Sequence, residues 1–302
     1  MSEETTSTIG ASTDSAPPPP PRDRKLADAW KELKKAPITA QFGLLVILGY
    51  VIAAVFAPLI APFGESEIVG DQFLEATDEF FLGTDNLGRD MFTRLIYGAR
   101  NTVGIAFVTT CLAFLIGGIA GILAAIFGGW TDQVLSRIVD ILMAIPQLIF
   151  ALLLLTIFGT SITNLIIVIA VLDATRVFRL ARAVSLNVVV LDFVEAARLR
   201  GEGLIWLATR EVLPNIMSPL VAEFGLRFCF VFLTIAALSF LGLGIQPPTA
   251  DWGSMVRDNA ELITYGDPVP LYPAAAIALL TVAVNFVVDW FLHKSSGLKD
   301  EH

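Results

Sequence analysis

Six long apolar runs, separated by polar segments, dominate the hydropathy pattern of this chain. They cover residues 39–61, 103–127, 139–158, 162–178, 218–244 and 271–292. A helix needs about 20 apolar residues, and at least about 17, to cross the hydrocarbon core of a bilayer. All of these runs meet that length, and Pro146 inside the third predicts a kink. The pattern therefore predicts an all-α membrane protein with six transmembrane helices.

The distribution of lysine and arginine predicts the orientation of these helices. With the N-terminus inside, the cytoplasmic segments carry fourteen Lys and Arg residues and the outer segments carry four. Cytoplasmic loops of membrane proteins are enriched in these residues. The bias predicts that both termini are cytoplasmic, together with the polar segment between the fourth and fifth runs.

The composition agrees with a membrane protein and argues against several other functions. The chain of 302 residues is 55% hydrophobic and 16% charged, with a mean hydropathy of +0.71. A net charge of −9 argues against nucleic acid as a partner. Cys111 and Cys229 lie in apolar runs and the two histidines are His293 and His302, so no metal site is expected. The sequence contains no Walker A motif, so ATP hydrolysis by that route is not expected of this chain.

Three parts are predicted along the chain. Residues 1–36 are rich in Ser, Thr and Pro, then charged, and such a composition cannot bury a core. They are expected to form a disordered cytoplasmic tail. Residues 37–293 form the predicted transmembrane domain, and residues 294–302 form a short cytoplasmic tail. A secretory signal peptide is not expected, because the first apolar run starts near residue 40.

A ridge of small residues marks the second run. Ala113, Gly117, Gly121 and Ala125 recur at every fourth position and share one helix face. Small side chains let another helix approach closely. We expect this ridge to pack against a helix of the same chain, with a contact between subunits as the alternative.

The polar segment at about residues 186–217 is predicted to form a helix, a break and a second helix. Asp192 can cap the first helix, with Glu195 as its capping-box partner. Gly201 breaks the helix, because glycine tolerates backbone angles that other residues avoid. The second helix is expected to stop before Pro214, because proline restricts the residue that precedes it.

Within this segment the order Glu195-Ala196-Ala197, three residues, Gly201 and, further on, Leu213-Pro214 resembles the EAA loop of ABC importer permeases. In that family the loop is cytoplasmic and docks into a cleft on the ATPase subunit. The resemblance implies that Glu195, Ala196, Ala197 and Gly201 form the contact. It implies that Leu213 and Pro214 fix the return into the membrane. One departure is Glu211, where many members carry His. The alternative for Glu195 is a helix cap with no partner.

Two predicted outer loops carry further motifs. Residues 82–90 have the sequence LGTDNLGRD, and residues 250–253 have the sequence ADWG. Both resemble the DppC/OppC-like permease subunits of peptide and nickel importers. The resemblance implies a surface that meets a periplasmic binding protein, with Asp85, Arg89, Asp90, Asp251 and Trp252 as candidate contacts. The alternative is a loop whose charges satisfy one another internally.

Ionisable residues within the runs are candidates for a solute path, because charge inside a membrane is costly and usually functional. Glu223 and Arg227 lie four residues apart in the favourable order for a helical ion pair. Asp173 precedes Arg176 by three residues, and Asn285 lies in the sixth run. These groups either line the path or its gate, or they neutralise one another where helices meet. They also keep an ion-gradient-coupled secondary transporter open as an alternative.

The resemblance covers about residues 40–292. It implies the fold of type I ABC importer permeases and a role as a transport subunit rather than an enzyme. It also implies a prokaryotic plasma membrane location and a path for short peptides or a similar small polar solute. The implied partners are a homologous second permease, two ATPase subunits, a solute-binding protein and the lipid bilayer. No cofactor is expected on this chain, since ATP and Mg²⁺ would be held by the ATPase subunits.

Overall fold

A computed structural model describes residues 36–295, and most of these residues fold into helices. Apart from one isolated bridge between Thr84 and Asp90, this part of the chain contains no β-structure. The all-α prediction is therefore confirmed for it, and the predicted tails lie almost wholly outside it. The α-helices are α1 (Ile38–Val55), α2 (Ala57–Ile60), α3 (Met91–Gly98), α4 (Gly104–Phe127), α5 (Gly129–Ala144), α6 (Gln147–Phe158), α7 (Ile162–Val189), α8 (Asp192–Leu199), α9 (Leu204–Trp206), α10 (Leu213–Phe240), α11 (Trp252–Asp258) and α12 (Leu271–Ser295). Two π-helical segments, Ala99–Val103 and Leu207–Val212, and a 3₁₀ helix, Ala260–Tyr265, join some of them.

Length and hydropathy identify candidate membrane spans among these helices. Helix α7, which contains the predicted fourth run, includes Asp173, Arg176 and Arg179 within its first eighteen residues. These charges set it apart from the more apolar segments, so length and hydropathy by themselves do not yield six spans. A fifth candidate arises if α5 and α6 count as one broken span. The four described segments that are long and apolar enough are Ile38–Val55, Met91–Phe127, Leu204–Phe240 and Leu271–Lys294.

The third predicted run is disturbed at Pro146 as predicted, but it forms two separate helices and not one kinked helix. Helix α5 ends before Ile145 and α6 begins after Pro146, and the two helices are bent by 89°. The proline disfavours helical angles at the residue before it, and Ile145 is extended with φ −92° and ψ 133°. Helix α6 has 12 residues, roughly 18 Å of helix, which is shorter than a hydrocarbon core of about 30 Å. We call Ile145–Pro146 the elbow.

The small-residue ridge packs within the chain, as predicted. A Cβ atom added at Gly117 would lie 2.9 Å from Val177 Cβ, and one added at Gly121 would lie 2.9 Å from Ala181 Cβ. Helices α4 and α7 therefore meet closely along a glycine seam, which we define by Gly117 and Gly121. Residue numbers increase together along this seam, so the two helices run parallel.

Helix α12 packs against both α1 and α10. Tyr50 Oη donates to the carbonyl oxygen of Ala276 at 3.0 Å. A Cβ atom added at Gly43 would lie 3.0 Å from Val287 Cγ2. Because residue numbers rise along α1 while they fall along α12, these two helices are antiparallel.

Candidate functional site

The polar segment after α7 forms helix α8, which is held by its inner face. Val194 is completely buried and belongs to a hydrophobic cluster with Leu207 and Val212. Arg198 Nη2 donates to the carbonyl oxygen of Ile126, near the end of α4, at 3.2 Å. Helix α8 is thus braced against α4 as well as against the segment that follows it.

The start of α8 differs from the predicted capping box. The N-cap residue is Leu191, and no side-chain hydrogen bond caps the helix. Asp192 is already the first helical residue, so its side chain is not at the position from which a cap is made. The capping-box prediction for Asp192 and Glu195 is therefore wrong, and both carboxylates lie in the first turn. There they interact favourably with the positive end of the helix dipole.

The turn at Gly201 ends α8 as predicted. Gly201 has φ +81°, in the left-handed region that favours glycine. Its amide donates to the carbonyl of Arg198 at 2.9 Å, and the amide of Glu202 donates to the carbonyl of Ala197 at 3.2 Å. These two bonds are the Schellman pattern of a helix C-terminus.

The predicted helix stop before Pro214 is wrong. A π-helical segment, Leu207–Val212, joins α9 to α10, and Pro214 lies in the first turn of α10. A π turn shifts the hydrogen-bond pattern by one residue, and proline is tolerated in a first turn because the missing N–H is not needed there. The chain therefore returns through one long helical segment, Leu204–Phe240.

The predicted ATPase contact residues divide into exposed and buried positions. Glu195, Ala196, Gly201 and Pro214 are exposed and Leu213 is half-buried, whereas Ala197 is completely buried against its own chain. Sequence reasoning missed two exposed apolar side chains beside them, Leu199 at 84% and Ile205 at 82%. The available signal was an apolar residue inside a polar segment. We call Glu195, Ala196, Leu199, Gly201 and Ile205 the α8 surface.

A cluster of charged and polar side chains ties α6, α7 and α10 together. Arg227 Nε lies 2.7 Å from Glu223 Oε1, and Arg227 Nη1 lies 3.9 Å from Asp173 Oδ1. Gln147 Nε2 donates to Asp173 Oδ2 at 2.7 Å. Asp173 is completely buried, and Arg227 is nearly so. We call Gln147, Asp173, Glu223 and Arg227 the polar cluster.

The pairing within this cluster corrects one prediction and supports another. Glu223 and Arg227 pair as predicted. Asp173 pairs with Arg227 and not with Arg176, whose side chain is exposed. The fourth candidate, Asn285, lies outside the cluster. Its Nδ2 donates to the carbonyl of Thr281 at 2.8 Å on its own helix.

The first outer-loop motif folds on itself around Asp85. Its carboxylate lies 2.7 Å from Arg89 Nη2 and 3.2 Å from Arg94 Nε, and it accepts from the amide of Leu87 at 2.8 Å. Asp90 caps α3 by accepting from the amide of Thr93 at 2.7 Å. Asp85, Arg89 and Asp90 are all at most 5% exposed.

The second outer-loop motif is also internal. Asp251 caps α11 by accepting from the amide of Ser254 at 2.8 Å, and it accepts from Thr102 Oγ1 at 2.9 Å. Burial raises the pKa of the Asp251 carboxyl above its usual range, although these hydrogen bonds act in the opposite direction. Trp252 Nε1 donates to the carbonyl of Leu95 at 2.9 Å. Both residues are almost fully buried, as are the three of the first motif. The prediction that these five side chains form a binding-protein surface is therefore wrong, because they are buried and hold their own segments together.

Glu65, which sequence reasoning missed, joins the two segments that contain these motifs. Its Oε1 accepts from Asn101 Nδ2 at 2.7 Å and from the amide of Ala250 at 2.6 Å. Asn101 lies in the π-helical segment before α4, and it also donates to the carbonyl of Ala250 at 2.9 Å. Nothing local to Glu65 distinguishes it from the other acidic residues of the loop, because both partners are distant in sequence.

The described residues thus form an all-helical membrane protein with apolar spans and an exposed helix–turn surface between two long helices, an architecture that a transport permease can use. The chain is a member of the family of binding-protein-dependent transport system inner membrane components, whose model matches residues 113–295. Residues 25–82 match the N-terminal TM domain of oligopeptide transport permease C. It is therefore a multi-pass transport subunit of the inner membrane rather than an enzyme.

Individual relatives agree with this assignment. The chain is 34% identical to the dipeptide transport system permease protein DppC of Alkalihalophilus pseudofirmus, over 90% of this chain and 88% of that protein. It is 37% identical to the di/tripeptide permease DppC of Pseudomonas aeruginosa, over 85% of each chain. It is 30% identical to the glutathione permease GsiD of Pectobacterium atrosepticum, over 92% of each.

Solved structures identify the fold. A chain of the MetNI methionine ABC transporter matches with a TM-score of 0.54 and 22% identity, over 66% of this chain and 94% of that chain. A chain of an amino acid ABC transporter matches with a TM-score of 0.51 and 20% identity, over 67% and 94%. The fold is that of type I ABC importer permeases.

Proposed function

We propose that this chain is one of two homologous permease subunits of an ATP-driven importer of short peptides. Relatives that align with it over 85% to 92% of their length are named for dipeptide, di/tripeptide and glutathione transport. The observation that carries the proposal is the α8 surface. It presents exposed apolar side chains, Leu199 and Ile205, beside the Glu-Ala-Ala sequence, as a protein-docking surface requires.

The proposed topology has six spans with both termini in the cytoplasm. The parallel arrangement of α4 and α7 supports it, because the intervening segment, α5 and α6, must then bring the chain back across the membrane. The antiparallel arrangement of α1 and α12 is consistent with termini on one side. The excess of Lys and Arg in the segments on that side supports the cytoplasmic assignment.

The proposed mechanism is mechanical transmission to a solute path between the two permeases. ATP and Mg²⁺ act on two ATPase subunits, and this chain binds neither. When the ATPase pair closes, α8 moves with the cleft that it occupies. Val194 and Arg198 pass this displacement to the helices that α8 packs against. Helices α4 and α7 move together because their backbones meet at the glycine seam, and α7 carries Asp173. The displacement thus reaches the polar cluster and opens or closes the path.

The polar cluster is the proposed gate of that path. It links three helices at a point where charge is costly, so its ion pairs form and break as alternative states of the helix packing. Glu223 is its most exposed ionic member, with 20% side-chain exposure, and is the group we place nearest the solute. Asn285, which lies on α12, would line the same path.

The proposed contact with the solute-binding protein lies on the outer segment before α3. The predicted contacts there are buried, so the contact falls on exposed neighbours such as Ile68 and Phe81, which are 70% and 72% exposed. Glu67, Asp71, Glu75 and Asp78 are also exposed in this segment and would add an acidic component.

The test is capture of the ATPase subunits by the tagged chain in mild detergent. Ile205→Asp and Leu199→Asp are expected to reduce ATPase capture by at least tenfold, because a buried unpaired carboxylate disfavours docking. Ile68→Asp is the matched control, an equally exposed apolar residue on the outer segment, and should capture the ATPase at the wild-type level. Wild-type capture by all three variants would refute the docking role of α8.

Vesicle uptake then separates ATP coupling from ion coupling. Uptake of a radiolabelled dipeptide should require ATP and the solute-binding protein, and collapse of the ion gradients should not abolish it. Uptake that follows the ion gradient and ignores ATP would instead favour a secondary transporter.

A further inference from the structure

Helix α7 carries three arginines at intervals of three residues: Arg176, Arg179 and Arg182. Such a spacing places them along one side of a helix, with a drift of about 60° per step. Two of the three find a carboxylate on α5. Arg182 forms an ion pair with Asp132, and Arg179 Nη2 lies 3.9 Å from Asp140 Oδ1. Helix α5 thus supplies an aspartate to each of the two arginines that it passes, Arg182 and Arg179.

The third arginine faces the point where α5 has ended. The elbow replaces the helix there, and it offers no acidic side chain. Arg176 is exposed and makes no ion pair within residues 36–295. It borders a cavity of about 110 Å³ at the elbow, whose wall also includes Pro146 and Gln147.

The position of Arg176 along α7 makes its lack of an ion-pair partner significant. It lies fourteen residues from the start of α7, roughly 21 Å along the helix, which in the proposed six-span topology places it within the hydrocarbon core of about 30 Å. It is also one turn from Asp173, and Gln147 belongs both to the polar cluster and to the cavity wall. An arginine in contact with lipid is costly, whereas one that faces a water-filled path or an anion is not.

We propose that Arg176 and the elbow cavity bind a carboxylate, and that this carboxylate is the C-terminus of the transported peptide. A guanidinium presents two parallel N–H donors to a carboxylate, which gives both strength and orientation. The inference rests on the proposed function, and it adds the chemical group that the permease itself recognises. The same chemistry could be supplied by a carboxylate of the sister permease, and the experiment distinguishes the two sources.

The test uses the complete complex in proteoliposomes with its solute-binding protein and ATP. The probes are radiolabelled alanyl-alanine and its C-terminal amide, each at ten times its measured Kd for the binding protein so that delivery is equal. Arg176→Gln should lower uptake of the acid by about tenfold, the scale of a lost charged hydrogen bond, and leave the amide unchanged. Arg176→Lys should restore part of the loss. Arg179→Gln, an exposed arginine one turn away, is the matched control and should not discriminate between the two probes.

Two other outcomes are decisive. If Arg176→Gln reaches the membrane at the wild-type level but no longer retains the sister permease, the carboxylate comes from that subunit and not from the solute. If assembly is intact and the variant transports acid and amide in the wild-type ratio, Arg176 recognises no carboxylate and the inference is overturned. Failure of the proposed function is distinguishable, because the wild-type complex would then show no ATP-dependent uptake of either probe.

Discussion

The seam between α4 and α7 allows a sharp test, because two adjacent glycines differ in what surrounds them. A Cβ at Gly117 would lie 2.9 Å from Val177 Cβ and 3.0 Å from the backbone nitrogen of Phe178. A Cβ at Gly118 would meet nothing within 4 Å. Both glycines lie in the interior of the same helix, so substitution by alanine has the same intrinsic helix propensity gain at each.

The two substitutions should therefore have opposite effects on stability. Carbon atoms in ordinary contact are about 3.5–4.0 Å apart, so Gly117→Ala forces the helix backbones apart at that level. Such overpacking costs about 1–3 kcal/mol, whereas alanine in place of glycine in a helix gains up to about 1 kcal/mol. The propensity gain is the same in both variants and cancels in the comparison, so the free energies of unfolding of Gly117→Ala and Gly118→Ala should differ by the overpacking cost, about 1–3 kcal/mol.

The assay is reversible unfolding in mixed micelles, followed by helix content, with ATP-driven uptake as a second readout. Gly118→Ala should unfold at the wild-type denaturant concentration or above it. Gly117→Ala should unfold earlier, and its uptake should fall more than its amount in the membrane, because α4 and α7 would no longer move together. Equal unfolding free energies for the two variants would refute both the seam and its proposed part in transmission.

Three further predictions follow from the side-chain contacts. Arg227→Gln should lower the free energy of unfolding by about 3–5 kcal/mol, far more than Glu223→Gln, because it leaves the buried Asp173 without its cation. Comparable losses for the two variants in the same unfolding assay would contradict this. Glu65→Gln should open the segments that Glu65 joins to limited proteolysis, because the amide oxygen accepts more weakly from the two donors that the carboxylate now binds. An unchanged cleavage pattern would argue against this bridge. The folded-state pKa of Asp251 is raised, so its contribution to stability is present at low pH and is lost as pH rises from the unfolded pKa through the folded one. Asp251→Asn lacks this titration, and melting curves from acid to neutral pH should show the wild type losing stability relative to the variant.

Much of the helical framework and of the polar segment that contains α8 follows from local sequence. The apolar runs locate the membrane helices, and the four-residue spacing of Gly117 and Gly121 predicts a close helix contact within the chain. The glycine at position 201 predicts the end of α8, because a left-handed turn depends on that residue alone. Each of these features is set by neighbours within a few residues.

Interactions between distant segments decided the rest. Sequence spacing favours Arg176 as the partner of Asp173, but the tertiary structure gives that carboxylate to Arg227 on α10 and to Gln147 on α6. The charged motif around Asp85 is compatible with an exposed surface or with a closed network, and only the fold makes it buried.

The sequence by itself thus determined an all-α membrane chain, its close-packing helix face and the turn that ends α8, because periodicity and backbone preference act locally. Only the tertiary structure decided which charges meet and which side chains are left at the surface. The elbow illustrates both contributions. Pro146 predicts that the helix is disturbed there, but the 89° angle between α5 and α6 depends on how each of them packs against α7. Long-range pairing depends on the relative placement of helices, which no local pattern contains.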